Sequence, residues 1–414
     1  MAKKTVAEIE VKGKKVFMRC DFNVPLDPQG RITSDDRIVK ALPTIQAILD
    51  RGGALILASH LGRPEGKPDP AYTLKPVAQR LSELLGKPVL FSDRCVGAGA
   101  KAKAAALKAG QVLLLENVRF HKEETIKDKA AKEDQQLRQS KDAFAKQMAD
   151  MADVYVNDAF GTAHRDNASM YTVPQCMKGK PRVIGLLVEK ELRYLGGALK
   201  DPVRPFVAIL GGAKVSDKIG VIENLLDKVD RILVGGAMAY TFLKAQGKAI
   251  GKSRCEDDFL DKASQLLDLA KDKGREVVLP VDSVAVKEVR AGVGYKTVGE
   301  DIPDEWIGVD IGPKTRKLFA DRLQGAKTVV WNGPMGVFEI EPFDAGTKAV
   351  ALAVAKVTDE GANSIIGGGD SASAVQKLGL EDRISHISTG GGASLEFLEG
   401  KAFKCIEILD ERSS

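Results

Sequence analysis

The sequence is sparing in the residues that would commit it to several common designs. Its 414 residues include five cysteines, Cys20, Cys95, Cys176, Cys255 and Cys405, which are widely scattered and form no CxxC pair. That spacing argues against a disulfide framework or a zinc site and fits reduced thiols, so a cytoplasmic location is expected. No uninterrupted apolar run approaches the length of a bilayer span, and no membrane partner is expected. The opening MAKKTVAEIEVKGKK has no apolar core of a leader, so a cleaved signal peptide is not expected either. Aromatic residues are only 5%, and 62 Lys+Arg against 57 Asp+Glu leave a net charge of +5. A nucleic-acid binder would need a larger basic excess interleaved with stacking rings, so nucleic acid is not expected as a partner.

What the chain has instead is ordinary globular composition, 44% hydrophobic and 29% charged, at a length that favours two domains over one core. Short Val/Ile/Leu runs alternate with longer helix-period stretches, the pattern of a mostly parallel α/β sheet with helices on both faces. Strands are expected at 16–20, 54–58, 88–91, 112–115 and 154–156. A second set follows near 206–210, 231–234, 276–281, 328–331, 364–366 and 385–388. Helices are expected over 37–52, 74–86, 100–110, 215–229 and 343–358. The turn-rich stretch TVPQCMKGKPR, the amphipathic 183–200 and the break DPVRP mark 172–205 as the boundary and hinge. The mixed-charge run 121–142 reads as a solvated helical face or a surface excursion.

The two halves end their strands differently. In open α/β sheets ligands sit beyond the carboxyl ends of strands, so those endings carry the functional reading. The first half ends them in Arg19, Asp21 and Asn23, then His60 and Arg63, then Arg119, then His164 and Arg165, with Arg37 just past the first turn. Convergent guanidinium groups suit carboxylate and phosphate oxygens. The second half ends them in glycine clusters, GGAKVSDK (211–218) and GGGDSASA (367–374) among them. Bare backbone at a helix N-terminus suits polyphosphate. Lys214 and Lys218 are expected four apart on one face of the following helix, and Asp370 is a candidate Mg²⁺ ligand.

The motifs DFNVP, SHLGRP, NDAFGTAHR, LGGAKVSDKI, WNGPMGVFE, GGGDS and STGGGASLEFLEGK, in this order, resemble those of the phosphoglycerate kinase family over essentially the whole chain. The resemblance implies two doubly wound, Rossmann-like parallel-sheet domains joined by a helical hinge. These would be an N-terminal 3-phosphoglycerate domain over 1–185, an interdomain helix over 186–204 and a nucleotide domain over 205–399, with residues from about 400 to 414 returning to the first domain. It implies reversible Mg²⁺-dependent phosphoryl transfer between ATP and 3-phosphoglycerate, giving ADP and 1,3-bisphosphoglycerate, by direct in-line transfer on hinge closure in a monomer. Carried onto matching positions, Asp21, Asn23, Arg37, His60, Arg63, Arg119 and Arg165 would bind the glycerate. Gly211, Lys214, Lys218, Gly236, Gly312, Asn332, Glu339, Gly368, Gly369, Asp370 and Ser371 would hold the nucleotide, with Asp370 on the metal. Arg37 and Lys214 are the candidates for stabilising the phosphoryl group in flight.

Three positions depart from the family pattern. Asp166 and Asn167 follow Arg165 where another histidine is frequent. Ser371, expected to cap its helix, stands where threonine is commoner. Ala237 takes the place of a third glycine. Two competing motifs also occur. Gly97-x-Gly99-x-x-Ala102, with Glu116 downstream, matches a dinucleotide fingerprint and would suit an NAD-dependent dehydrogenase, but it follows at least the third strand of its sheet. His164-Arg165-Asp166 resembles a protein-kinase catalytic loop, yet position 171 is Tyr rather than Asn.

Overall fold

The structure, a computed structural model, describes residues 2–412. The chain forms two compact units: one runs through Leu192 and takes up the residues from Ala402 onward, the other is Arg193–Lys401. The helix Leu186–Lys200 runs through the boundary. Among the described residues no helix is long and apolar enough to cross a membrane.

The first unit is built on six strands, β1 (Lys15–Cys20), β2 (Ala54–Ala58), β3 (Val89–Ser92), β4 (Val112–Leu115), β5 (Val154–Asp158) and β6 (Arg182–Ile184). They pair in parallel in the order β3-β4-β2-β1-β5-β6. β2, β4 and β5 are buried at every residue, as continuous apolar runs covered on both faces require. The strand order reverses between β1 and β5, so a crevice is placed beyond Cys20 and Asp158. On one face the helix Asp36–Asp50 buries Ile38, Ala41, Ile45, Ile48 and Leu49, the three-and-four spacing of an amphipathic helix. The helix Lys75–Leu85 ends at Gly86, whose φ of 62° only glycine adopts cheaply.

The second unit repeats the plan with β7 (Phe206–Leu210), β8 (Arg231–Val234) and β9 (Glu276–Val278). A separate sheet follows, formed by β10 (Ser283–Val286), β11 (Tyr295–Val298) and β12 (Ile307–Ile311). The main sheet is completed by β13 (Thr328–Asn332), β14 (Asn363–Gly367) and β15 (His386–Ile387). The main sheet runs β15-β14-β13-β7-β8-β9 in parallel, and its order reverses between β13 and β7. The small sheet β11-β10-β12 is antiparallel. The apolar pattern hides it, because its strands SVAV, YKTV and IGVDI are broken by polar residues or glycine and are separated by charged loops.

Three expectations change here. Residues 182–184 form edge strand β6 before the helix begins, so Val183 and Ile184 do not open the helical stretch. The helix expected over 215–229 is Ile219–Leu226. The charge run 121–142 lies mostly at the surface, but three of its charges do not: Glu124 and Lys141 are fully buried and Asp128 is 2% exposed. Phe144, Ala145 and Met148 supply the apolar stripe that draws the helix Gln135–Ala149 inward. The charges carried in with it find partners. Lys141 Nζ donates to the Asp166 carbonyl at 2.8 Å, the Asp128 N–H donates to Asp166 Oδ2 at 2.9 Å, and Arg138 Nη2 donates to Asp128 Oδ1 at 2.8 Å.

Asp158 closes β5 and meets the start of the helix Leu186–Lys200. Its Oδ1 accepts from the N–H groups of Leu187 at 3.0 Å and Val188 at 3.3 Å. Burial still pushes the carboxyl up to about 7, the helix donors only partly opposing it. A carboxyl raised from 3.8 to about 7 contributes stability that is fully present below the lower value and lost as pH rises through the upper one. Asp158→Asn is therefore expected to flatten the stability curve between these limits, with the parent losing a few kcal/mol more than the variant. Urea denaturation of both proteins at matched pH values checks this, and parallel curves would show that Asp158 ionises normally.

Candidate functional site

In the first unit the crevice beyond β1 and β5 gathers charge. Asp21, 9% exposed, follows β1 and accepts a short ion pair from Arg37 Nη1, which projects from the first turn of the helix Asp36–Asp50. Its Oδ1 also faces His60 Nδ1 at 3.9 Å and accepts from the Asn23 N–H at 3.3 Å. Asn23 Oδ1 in turn accepts from the Gly62 N–H at 2.8 Å, and the Phe22 N–H donates to Ser59 Oγ at 2.8 Å. The loops after β1 and β2 are thereby tied together. Arg119 joins through Nη1, which donates to the Gly62 carbonyl at 2.7 Å, while its Nε is buried with no hydrogen-bond partner.

The electrostatics follow from this crowding. Burial would raise Asp21, but His60, Arg37 and Arg19 outweigh it and hold the carboxyl below its ordinary value. Burial pushes His60 well down; Asp21 opposes the shift, and Arg19, Arg119 and Arg37 add to it, so the ring is neutral at pH 7. Burial, then the charges of Arg19 and Arg165, pull Arg119 down to about 10, still cationic at neutral pH. A group of guanidinium ions that depress one another is an environment in which an added anion is favoured.

Arg165 is exposed and reaches this field from the loop after β5, its Nε donating to His164 Nε2 at 3.1 Å. Arg63 is exposed beside Gly62. The residues that depart from the family pattern here have internal work. Asp166 anchors the run 121–142 as described above, and the Asn167 carbonyl accepts from the N–H groups of Met170 and Tyr171. Arg19, weighed from sequence as an anion-binding strand end, is instead wholly buried and points away from solvent into a polar network. The signal that marks it is a charge inside an otherwise apolar strand.

In the second unit three glycine loops interlock at the carboxyl ends of β7, β8 and β13. Gly211 donates to the Asn332 carbonyl at 2.9 Å, Gly212 to the Pro334 carbonyl at 3.0 Å, and Gly236 to the Met335 carbonyl at 3.0 Å. A Cβ on Gly236 would strike the Gly212 backbone, and its φ of 68° also calls for glycine. Beside these loops opens a cavity of about 370 Å³, walled by Gly212, Gly236, Ala237, Tyr240, Gly308 and Met335, with Glu339 and Asp370 also on its lining.

Lys218 lies 7% exposed beside this region and donates a short hydrogen bond to Asn332 Oδ1. The Asn332 Nδ2 is buried without a partner, close under Gly367 and Gly368, where a Cβ would stand 3.1 and 3.3 Å from it. Burial lowers Lys218 to about 8, with Asp217, Glu399 and Asp370 opposing the shift. The helix Gly369–Lys377 then presents its N-terminal turn, with Gly369 and Asp370 both exposed.

Four expectations in this unit are corrected or narrowed. Lys214 and Lys218 do not share a helix face, because the helix starts at Ile219: Lys214 is exposed on the preceding loop while Lys218 is buried. Ser371 does not cap its helix; it is buried inside the first turn, and its Oγ accepts from the Gly333 N–H at 2.7 Å. Gly211 is pressed between the Gly333 and Pro334 carbonyls, and Gly312 packs against the Asp282 carboxylate that caps the next helix through Lys314 and Thr315. Neither of these glycines is on the cavity wall. The walls supplied by Tyr240, Arg254 and 307–309 were not foreseen, since they come from a helix, a loop and the antiparallel sheet.

The dinucleotide-like motif fails on its surroundings. It follows β3, an edge strand away from the switch point. Glu116 is occupied, accepting from Thr73 Oγ1 at 2.6 Å and from the N–H groups of Leu74 and Asn117 at 2.8 Å each.

An arginine-lined crevice on one doubly wound unit and a glycine-walled cavity on another define a two-domain α/β protein built to hold two anionic ligands. Relatives narrow that class. The family model for phosphoglycerate kinase matches residues 6–401. Curated proteins named phosphoglycerate kinase from Thermosipho africanus and Chlorobium luteolum are 55% and 53% identical, covering 97% and 99% of this chain and 96% and 100% of their own lengths. The solved phosphoglycerate kinase of Coxiella burnetii superposes with a TM-score of 0.85 at 43% identity, covering 98% of each chain. That of Pyrococcus horikoshii gives 0.81 at 32%, covering 99% of this chain and 98% of its own. The chain belongs to the phosphoglycerate kinase family.

The low Lys218 value has a direct consequence. Above about pH 8 the ammonium loses its proton, and with it any attraction for an anion placed beside it. Affinity for ADP, measured by calorimetry, is expected to fall several-fold between about pH 7 and 9. In Lys218→Met the affinity should be weaker and flat over the same range. A parent curve as flat as the variant's would remove Lys218 from the nucleotide site.

Proposed function

We propose that the chain catalyses reversible, Mg²⁺-dependent phosphoryl transfer between ATP and 3-phosphoglycerate, as a cytoplasmic monomer. The observation that carries this reading is the pairing of two chemically distinct anion sites, each at the switch point of its own sheet. The first unit offers guanidinium groups of fixed spacing with Asp21 and Asn23 between them, suited to a small substrate with a carboxylate, a hydroxyl and a phosphate. The second offers bare backbone, a buried lysine and a helix N-terminus, suited to a nucleotide polyphosphate.

In this reading Asp21 and Asn23 read the glycerate hydroxyl, while Arg63, Arg119 and Arg165 hold the 3-phosphate beside the neutral ring of His60. Arg37 turns toward the carboxyl group that receives the phosphoryl. Gly212 and Gly236 let the nucleotide lie against the backbone, and Glu339 accepts from the ribose. Lys218, Gly368 and Gly369 meet the phosphates, and Lys214, exposed on its loop, faces the charge as it moves.

Among the described residues no group of three or more His, Cys, Asp or Glu could hold a metal alone. Asp370, an exposed carboxylate on the cavity wall, fits Mg²⁺ that keeps waters and shares nucleotide oxygens. The ion would supply charge neutralisation on the phosphates. Since the attacking oxygen is already anionic, the protein's residues contribute positioning and electrostatic stabilisation rather than proton abstraction. With donor and acceptor assigned to different units, transfer requires the two to be brought together, and the helix Leu186–Lys200 is the hinge in this reading.

A coupled assay of ADP formation from ATP and 3-phosphoglycerate tests the proposal. The parent is expected to turn over, and Arg37→Ala to lose at least about a hundredfold in kcat, the scale for removing a preorganised cation from a transition state. An inactive parent would refute the function; an unimpaired variant would refute the part given to Arg37.

A further inference from the structure

The charge run 121–142 sends one carboxylate deep into the first unit, and nothing in the reading above uses it. Glu124 sits on the single 3-10 turn Lys122–Thr125, just after the turn that carries Arg119, and its side chain is 0% exposed. Oε2 accepts from the Ser169 N–H at 2.9 Å and Oε1 from the Ser169 hydroxyl at 2.6 Å. Arg19 Nη2, also 0% exposed, stands 4.0 Å from Oε1. Arg19 reaches the same serine by a second path, its Nε donating to Ser169 Oγ at 2.8 Å, and its Nη2 lies 3.3 Å from His60 Nδ1. Ser169 is therefore a bridge, accepting from the arginine and donating to the glutamate. Its own carbonyl is fixed by the Tyr155 hydroxyl at 3.0 Å.

We infer that Glu124 is a positioning residue for the acceptor site. It is the buried counter-charge that holds Arg19, through Ser169, against His60, and so keeps the arginine cluster at its working spacing. The count of charges supports this. Arg19, Arg37, Arg119 and Arg165 act on one another or on His60 through space, and Asp21 and Glu124 are the acids that oppose the depression of Arg119. Asp21 is committed to Arg37 on the open side of the crevice. Glu124 is the only one of the two acids on the closed side, where no solvent can screen repulsion between Arg19 and its neighbours. Take away its charge and Arg19 is left with only Asp21, already paired with Arg37, as a counter-charge; the site can relieve that imbalance by spreading its arginines or by shifting His60.

The inference rests on the proposed acceptor site and is separable from it. Binding of 3-phosphoglycerate is measured by calorimetry in the absence of nucleotide, with ADP binding as the control, for the parent and for Glu124→Gln, Glu124→Asp and Ser169→Ala. Glutamine keeps shape and loses charge; aspartate keeps charge and loses reach. A positioning counter-charge predicts that Glu124→Gln weakens 3-phosphoglycerate by about tenfold or more and Glu124→Asp by less, with ADP affinity within about twofold of the parent in both. Ser169→Ala, which removes the bridge without charge change, should cost about threefold. The inference is overturned if aspartate is worse than glutamine, if glutamine binds as the parent does, or if ADP affinity falls in step. Should neither Glu124 variant fold, Ser169→Ala decides: an unchanged affinity overturns the inference and a selective loss supports it. A parent that binds ADP but not 3-phosphoglycerate would instead defeat the assignment of the acceptor site.

Discussion

Repulsion between like charges gathered at one strand end is the constraint around which the first unit is organised. Four arginines crowd the crevice beyond β1, β2, β4 and β5 around the neutral ring of His60, and such a group disperses unless acids of fixed position oppose it. An ion pair at the 4.0 Å separating Arg19 from Glu124 is worth of order 4 kcal/mol at an effective dielectric of about 20, before desolvation is counted. An exposed pair such as Arg31 with Asp27 is worth about 1 kcal/mol or less. The site therefore leans on its few buried carboxylates and little on the many pairs across its surface. Asp21 balances the cluster from the open side and Glu124 from within.

The second unit meets the opposite difficulty. In the proposed reading its ligand is a polyphosphate that brings charge of its own, so the site needs closeness of approach more than stored cations. Gly211, Gly212, Gly236 and Gly333 let three loops lie against one another at the ends of β7, β8 and β13, where a single Cβ would force them apart. Lys218 is the costly exception. Burial draws it down to about 8, and a bound anion would draw it back up. Each unit thus holds a group in a state it would not choose alone, Arg119 in one and Lys218 in the other, and an anion relieves both.

Much of this was legible in the chain. All strand runs of the two parallel sheets except β6, their order of appearance and the contrast between arginine and glycine endings follow from apolar periodicity and turn chemistry. Asp21, His60, Arg119, Gly236 and Asp370 lie where the strand-end argument put them, because residues that close a parallel strand can point only into the crevice or the loops above it. The antiparallel sheet was not legible, since its strands SVAV, YKTV and IGVDI are broken by polar residues or glycine and do not form the continuous apolar runs that mark the parallel strands. Nor was the inward turn of 121–142, because counting charges does not say which of them share a face with Phe144 and Met148.

The sequence by itself determined the architecture and the family, since hydrophobic period and long contiguous motifs are local properties of the chain. Only the tertiary structure decided which charges are buried and what they are paired with. Arg19, Glu124 and Ser169 are separated by up to 150 positions, and nothing in their own neighbourhoods distinguishes them from surface residues. Their partnership exists only because strand β1, a 3-10 turn and the segment after the Arg165 loop close on one dry point, where an unpaired charge would be too costly to keep.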